Sequence, residues 1–202
     1  MSAAASQARA PHPAVPAAIW RRRALVMGVV GLLVAIPITL LAHSGGHGGR
    51  AVKTAGPRVQ LNPRVVDSRL EVSYRVPRGW HDSERAGLIE LRSGDAATAV
   101  SIGAPAGAPA YARVLSDALS AIRDRYSNVR VSARSSGRLG GLPARTVALT
   151  ATSPSGMPLA IAVTGARGKA RAYLIEVFTN TRGAPASLVQ AQALLNSLRP
   201  SG

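Results

Sequence analysis

The run from Ala24 to Ala42, ALVMGVVGLLVAIPITLLA, contains no charged or amide side chain. As an α-helix it covers about 28 Å at 1.5 Å per residue, close to the ~30 Å hydrocarbon core of a bilayer. A soluble helix this apolar on all sides needs a large core around it, and the flanking sequence supplies none. The rival is a cleaved signal peptide, whose apolar region is about 7–15 residues and ends in a small-x-small site. Here the exit reads Thr39-Leu40-Leu41-Ala42-His43-Ser44, with leucines where small residues are wanted. The expectation is therefore a single uncleaved transmembrane helix over 24–42. Pro37 removes one backbone donor and kinks such a helix, which a membrane span tolerates.

The flanks predict orientation. Trp20 and Arg21-Arg22-Arg23 abut the run on its N-terminal side, where an aromatic belt and a positive-inside signal belong. These four are the expected membrane-interface residues, in contact with the lipid bilayer. On the far side the nearest cation is Arg50, beyond HSGGHGG, although Arg50, Lys53 and Arg58 reduce the asymmetry. The N-terminus is expected in the cytoplasm and the remainder outside, as a single-pass protein of the cell membrane. Residues 1–23, rich in Ala, Ser and Pro, read as a disordered tail. Residues 43–58 read as a flexible linker, and 59–202 as one extracytoplasmic domain. His43 and His47 lie in the linker without the third ligand a metal site requires. No metal or cofactor is expected.

The chain carries 25 Lys+Arg against 9 Asp+Glu, a net charge of +16, and no cysteine. The missing thiols exclude disulfides, thiolate zinc sites, cysteine nucleophiles and a lipidated N-terminal cysteine. From Val59 onward there are 18 basic and 9 acidic residues. They read as interspersed, the pattern of a solvated surface rather than a nucleic-acid stripe. With 3% aromatics, stacking platforms for single strands are scarce. Nucleic acid is not an expected partner. An envelope protein or an anionic envelope component is.

Periodicity gives the elements of the domain. Leu70 to Val76 alternates as a half-buried strand with Leu70, Val72, Tyr74 and Val76 inward, ended by Pro77 and Gly79. Strands are expected over 87–92 and 98–102, joined by Ser93-Gly94-Asp95. From Tyr111 the apolar residues Val114, Leu115, Ala118, Leu119, Ile122 and Tyr126 fall on one helical face. Four strand-like runs follow, at 129–133, 145–150, 159–163 and 172–179. The last is apolar on both faces and so central in a sheet. A final helix over 185–198 buries Leu188, Ala191, Leu195 and Leu198. Residues 57–67 show no clean period. The expected fold is α+β: a single transmembrane helix, then an antiparallel sheet flanked by two helices, in the order βββαββββα.

Three phrases carry a family resemblance. Val76-Pro77-Arg78-Gly79-Trp80 resembles the VPxGW that follows the first strand of PsbP-like domains. Gly137 to Ala144 resembles their GxxGGLPA phrase, and Asn196-Ser197-Leu198 their closing xSL. The resemblance implies a PsbP-like α/β/α sandwich over about 59–199. That fold occurs in extrinsic subunits of photosystem II, in a Ran-binding nuclear import factor and in actinobacterial envelope lipoproteins. Those lipoproteins use a lipidated cysteine where this chain offers an apolar helix. The fold hosts unrelated functions, so no catalytic or metal position follows from it.

His81-Asp82-Ser83 holds the letters of a hydrolase triad, but consecutive residues cannot converge as triad members do. Glu90 and Glu176 lie in strands and are expected to be outward and solvated. Gly140-Gly141 is expected to make a turn rather than a phosphate loop. Trp80 either plugs a sheet edge under a helix or lines a ligand groove with Arg78 and His81, the candidate ligand-binding residues. The function expected is a non-enzymatic, membrane-anchored binding or assembly module of the envelope. The alternatives are a carrier or sensor of a lipid or other small molecule, which needs a cavity between sheet and helix, and a hydrolase.

Overall fold

The computed structural model describes residues 59–85, 87–105, 110–183 and 185–201. The expected tail, transmembrane helix and linker, with Trp20 and Arg21 to Arg23, lie outside them. No helix among the described residues is long and apolar enough to cross a membrane. The elements are β1 (Leu61–Asp67), β2 (Val72–Pro77), β3 (His81–Arg85), β4 (Leu88–Arg92) and β5 (Thr98–Gly103), then helix α1 (Tyr111–Arg125). They continue through β6 (Ser127–Leu139), β7 (Leu142–Thr152), β8 (Pro158–Arg167), β9 (Ala172–Asn180), helix α2 (Pro185–Ser197) and β10 (Arg199–Pro200). Among the described residues the class is α+β, with two helices and antiparallel pairing throughout.

The expected single sheet is two. Seven strands pair in the order β3-β4-β5-β9-β8-β7-β6, and a smaller sheet has the order β1-β2-β10. The seven expected strands are all present, and β1, β3 and β10 are additional. β1 escapes a periodicity reading because most of its residues are exposed or half-buried on both faces. β3 reads HDSER, with no apolar residue to alternate. β9, expected to be central, lies between β5 and β8. In α2 the buried leucines are Leu194 and Leu195, while Leu188 is half-buried.

The two faces of the large sheet are covered differently. On one, α1 packs against β8, β9 and β6. Leu115, Ala118, Leu119 and Ile122 meet Val147, Leu149, Ile161 and Val163. The helix comes close because Gly165 lies beneath it: a Cβ there would stand 3.0 Å from the Tyr111 carbonyl oxygen. On the other face, α2 and the small sheet share the cover. Val72, Tyr74 and Val76 join Leu194, Leu195 and Leu198 over Leu91, Val100, Ile102 and Ile175. A helix thus lies on each face, as expected of an α/β/α sandwich, with the small sheet adding to the cover on the α2 side. Burial of each such side chain contributes about 1.5–3 kcal/mol.

β6 and β7 form a hairpin through Gly140-Gly141, both with positive φ (61° and 90°). That geometry suits a tight two-residue turn whose twist matches the strands. β6 is the far edge of the sheet and reaches past the cover of α1. It is exposed or half-buried along its whole length.

Candidate anion-binding cleft

Trp80 is 7% exposed and belongs to the core beside α2. Its Nε1 donates to Gln190 Oε1 on α2 at 2.8 Å, which satisfies the one polar atom the ring buries. Arg78 and His81 are exposed beside it. Neither the crevice between β1 and β3 nor the cleft between α1 and the β6–β7 hairpin includes any of the three. His81, Asp82 and Ser83 are consecutive on β3, so their side chains alternate between faces and do not converge.

The first concave region is a crevice of about 220 Å³ between β1 and β3. It holds Asp67, Asp82 and Glu84, and Arg69 bridges two of them, at 3.0 Å from Asp67 Oδ2 and 2.8 Å from Glu84 Oε2. Burial alone would raise the pKa of Asp67. Hydrogen bonds from the Leu70 amide and the Arg69 side chain, with the Arg69 charge, outweigh it and hold the carboxyl below its usual range. Burial, reinforced by the charges of Asp82, Asp67 and Glu84, pushes Tyr74 up to about 12. Among the described residues no group of three His, Cys, Asp or Glu is placed to hold a metal.

The second region is larger, about 560 Å³, and opens between α1 and the β6–β7 hairpin. Register places its residues. Arg134 lies opposite Val147, and Ser136 opposite Arg145. Directly opposed residues share a face, and Val147 faces α1. Arg134, Ser136 and Arg145 therefore stand on the α1 side of the sheet. Arg123 projects into the cleft from α1, and Leu115, Leu119 and Val147 line its base. Arg145 lies over the Tyr111 ring, its Cζ 5.6 Å from the centroid, a contact that holds the guanidinium without neutralising it.

Among the described residues no carboxylate lines this cleft. Among the described residues, none of Arg123, Arg134 and Arg145 is ion-paired. The reason is in the chain: between Asp124 and Glu176 there is no acidic residue, while Arg125, Arg130, Arg134, Arg138, Arg145, Arg167, Lys169 and Arg171 are all cations. Asp67, Glu71, Asp82, Glu84, Glu90 and Asp95 all precede α1. Up to Asp124 the domain's charges are interspersed, eight cations with eight acids, whereas from Arg125 to Arg171 there are eight cations and no acid. Guanidinium groups from three elements, with hydroxyls beside them, suit a carboxylate or phosphoryl group, which arginine grips in bidentate fashion.

Glu176 departs from the solvated carboxylate expected of it. It is half-buried, Ser101 Oγ donates to its Oε2 at 3.2 Å, and burial raises its pKa despite that bond and the nearby Arg125. Glu90, also half-buried, accepts from Arg92 at 3.3 Å.

No protein-family model matches the chain, and no curated protein matches it. Solved structures similar to it include the Ran-binding protein Mog1p of Saccharomyces cerevisiae, at 9% identity over 71% of this chain and 97% of that one, with a TM-score of 0.49. Another is cyanobacterial PsbP (CyanoP) of Synechocystis sp. PCC 6803, at 13% identity over 77% and 98%, TM-score 0.46. A third is LpqN, involved in cell envelope biogenesis of Mycobacterium tuberculosis, at 15% identity over 71% and 91%, TM-score 0.47. The likeness is one of overall fold and says nothing about a ligand.

Proposed function

We propose that the chain is a membrane-tethered, extracytoplasmic binding module of the cell envelope, PsbP-like and non-enzymatic, which grips an anionic group of its partner in the α1/β6–β7 cleft. The observation that carries this reading is the cleft: among the described residues, Arg123, Arg134 and Arg145 line it and no carboxylate does. The apolar run from Ala24 to Ala42, with Trp20 and Arg21 to Arg23 before it, supports the tether. Arg78 and His81, exposed beside the buried Trp80, stay a secondary surface in this reading.

A carrier or sensor of a small anionic amphiphile is the second reading. It is favoured by the apolar Leu115, Leu119 and Val147 at the base of the same cleft. One experiment addresses the first. The full-length chain and its R123A/R134A/R145A variant are used to capture partners from carbonate-washed envelope membranes. The module reading expects both chains in the washed membrane and a partner set that the variant loses. Identical partner sets would contradict it.

A further inference from the structure

Among the described residues, β6 ends the seven-stranded sheet and has β7 as its only neighbour. It bulges near its start, where the register shifts between Ser127 and Arg130 and again between Val131 and Ala133. From Ala133 to Leu139 the pairing with β7 is regular, residue for residue. That straight stretch is about 23 Å long at ~3.3 Å per residue. Among the described residues, the backbone of 129–139 makes no hydrogen bond beyond its ladder with β7. A row of outward N–H and C=O groups is a template for another strand.

Charge narrows the occupant. β6 carries Arg130, Arg134 and Arg138 and no acid. A second copy is opposed by these residues: an antiparallel pair centred on Arg134 would set Arg134 against its copy and Arg130 against Arg138. Like charges directly opposed are destabilising. The chain's own first 58 residues have the same handicap, with Arg9, Arg21, Arg22, Arg23, Arg50, Lys53 and Arg58 and no acid. The arginines that bar both would attract a strand of opposite sign.

We propose that β6 accepts an extended acidic segment of a partner protein, which adds as an eighth strand over 133–139 and sets its carboxylates against Arg134, Arg138 and the adjoining cleft. The proposal rests on the cleft being the recognising surface and goes further in naming the ligand as peptide. The backbone ladder of β6 supplies affinity without regard to sequence. The arginines supply selection for acidic side chains at alternate positions, since every second residue of an added strand points to the same face.

The test uses the full-length chain and a short fluorescein-labelled peptide of alternating glutamate and valine, followed by anisotropy. Two further peptides carry N-methyl groups on alternate amides, one on each edge. Strand addition expects one methylated series to lose about tenfold or more in affinity, the equivalent of two or three backbone hydrogen bonds, while the other binds as the parent does. Loss in both series, or in neither, overturns the proposal. So does preference for phosphatidylglycerol vesicles over the peptide, which would assign the edge to a lipid surface. The R134A/R145A variant separates the two readings. If it binds the peptide less tightly than wild type while both methylated series bind equally, strand addition fails and the cleft stands. If it binds as wild type does, both fail.

Discussion

The two edges of the large sheet are opposites. β3, at one end, is five residues long and polar throughout. Of its two carboxylates, Glu84 pairs with Arg69, which also holds Asp67 of β1. The crevice beside it sets one arginine, Arg69, among the carboxylates Asp67, Asp82 and Glu84. β6, at the other end, is thirteen residues long and carries arginines that no described carboxylate answers. Short length blunts an edge, and β3 has it. A long edge with uncompensated charge of one sign steers a partner of the other sign. The comparison assigns β3 to holding the fold and β6 to recognition.

Charge reversal at each edge breaks or sharpens that contrast most. R134E/R145E is expected to weaken binding of labelled polyglutamate about 100-fold or more, the loss of two hydrogen bonds to charged groups. D82R/E84R at the other edge is expected to change it less than about threefold, or to tighten it. Equal losses at both edges would end the distinction. A smaller effect, on stability, tests the other half. Asp67 accepts the amides of Arg69 and Leu70, each at 2.9 Å, and is buried. Asp67→Asn is expected to cost about 1–3 kcal/mol of unfolding free energy at neutral pH. Because folding lowers this pKa below its ordinary 3.8, the carboxylate's contribution is present above that value. It is lost as the pH falls through the folded-state pKa. Denaturation at pH 7 and below pH 3 should show the gap between wild type and variant closing in acid. A gap independent of pH would show that the ion-paired corner does not stabilise the fold through its charge.

Most of the framework was legible in the chain. α1 spans Tyr111–Arg125, as its single apolar face predicts. The β7–β8–β9 meander follows from alternation, and Gly140-Gly141 turns as expected. What escaped was whatever lacks an apolar period. β6 showed only its first half, 129–133, because Arg134 to Arg138 reads RSSGR and is exposed or half-buried on both faces. β3 escaped for the same reason. The cleft escaped because charges were pooled over the whole domain. Counted along the chain, the stretch between Asp124 and Glu176 with no acid is visible without any structure. Its meaning required the fold, which puts Arg123 of a helix and Arg134 and Arg145 of a hairpin on the walls of one cleft. Trp80 shows the converse. Its neighbours Arg78 and His81 suggested a rim, but the bond from its indole to Gln190 fixes the ring within the core.

The measurement closest to the central claim is a map of where an anion lands. Isotopically labelled full-length protein in detergent micelles is titrated with polyglutamate, and amide resonances are followed residue by residue. The account predicts that the shifts gather on 112–123 of α1 and 130–147 of the β6–β7 hairpin, and vanish in R134E/R145E. Shifts centred on β3 and β4, or spread evenly over every exposed arginine, would contradict it.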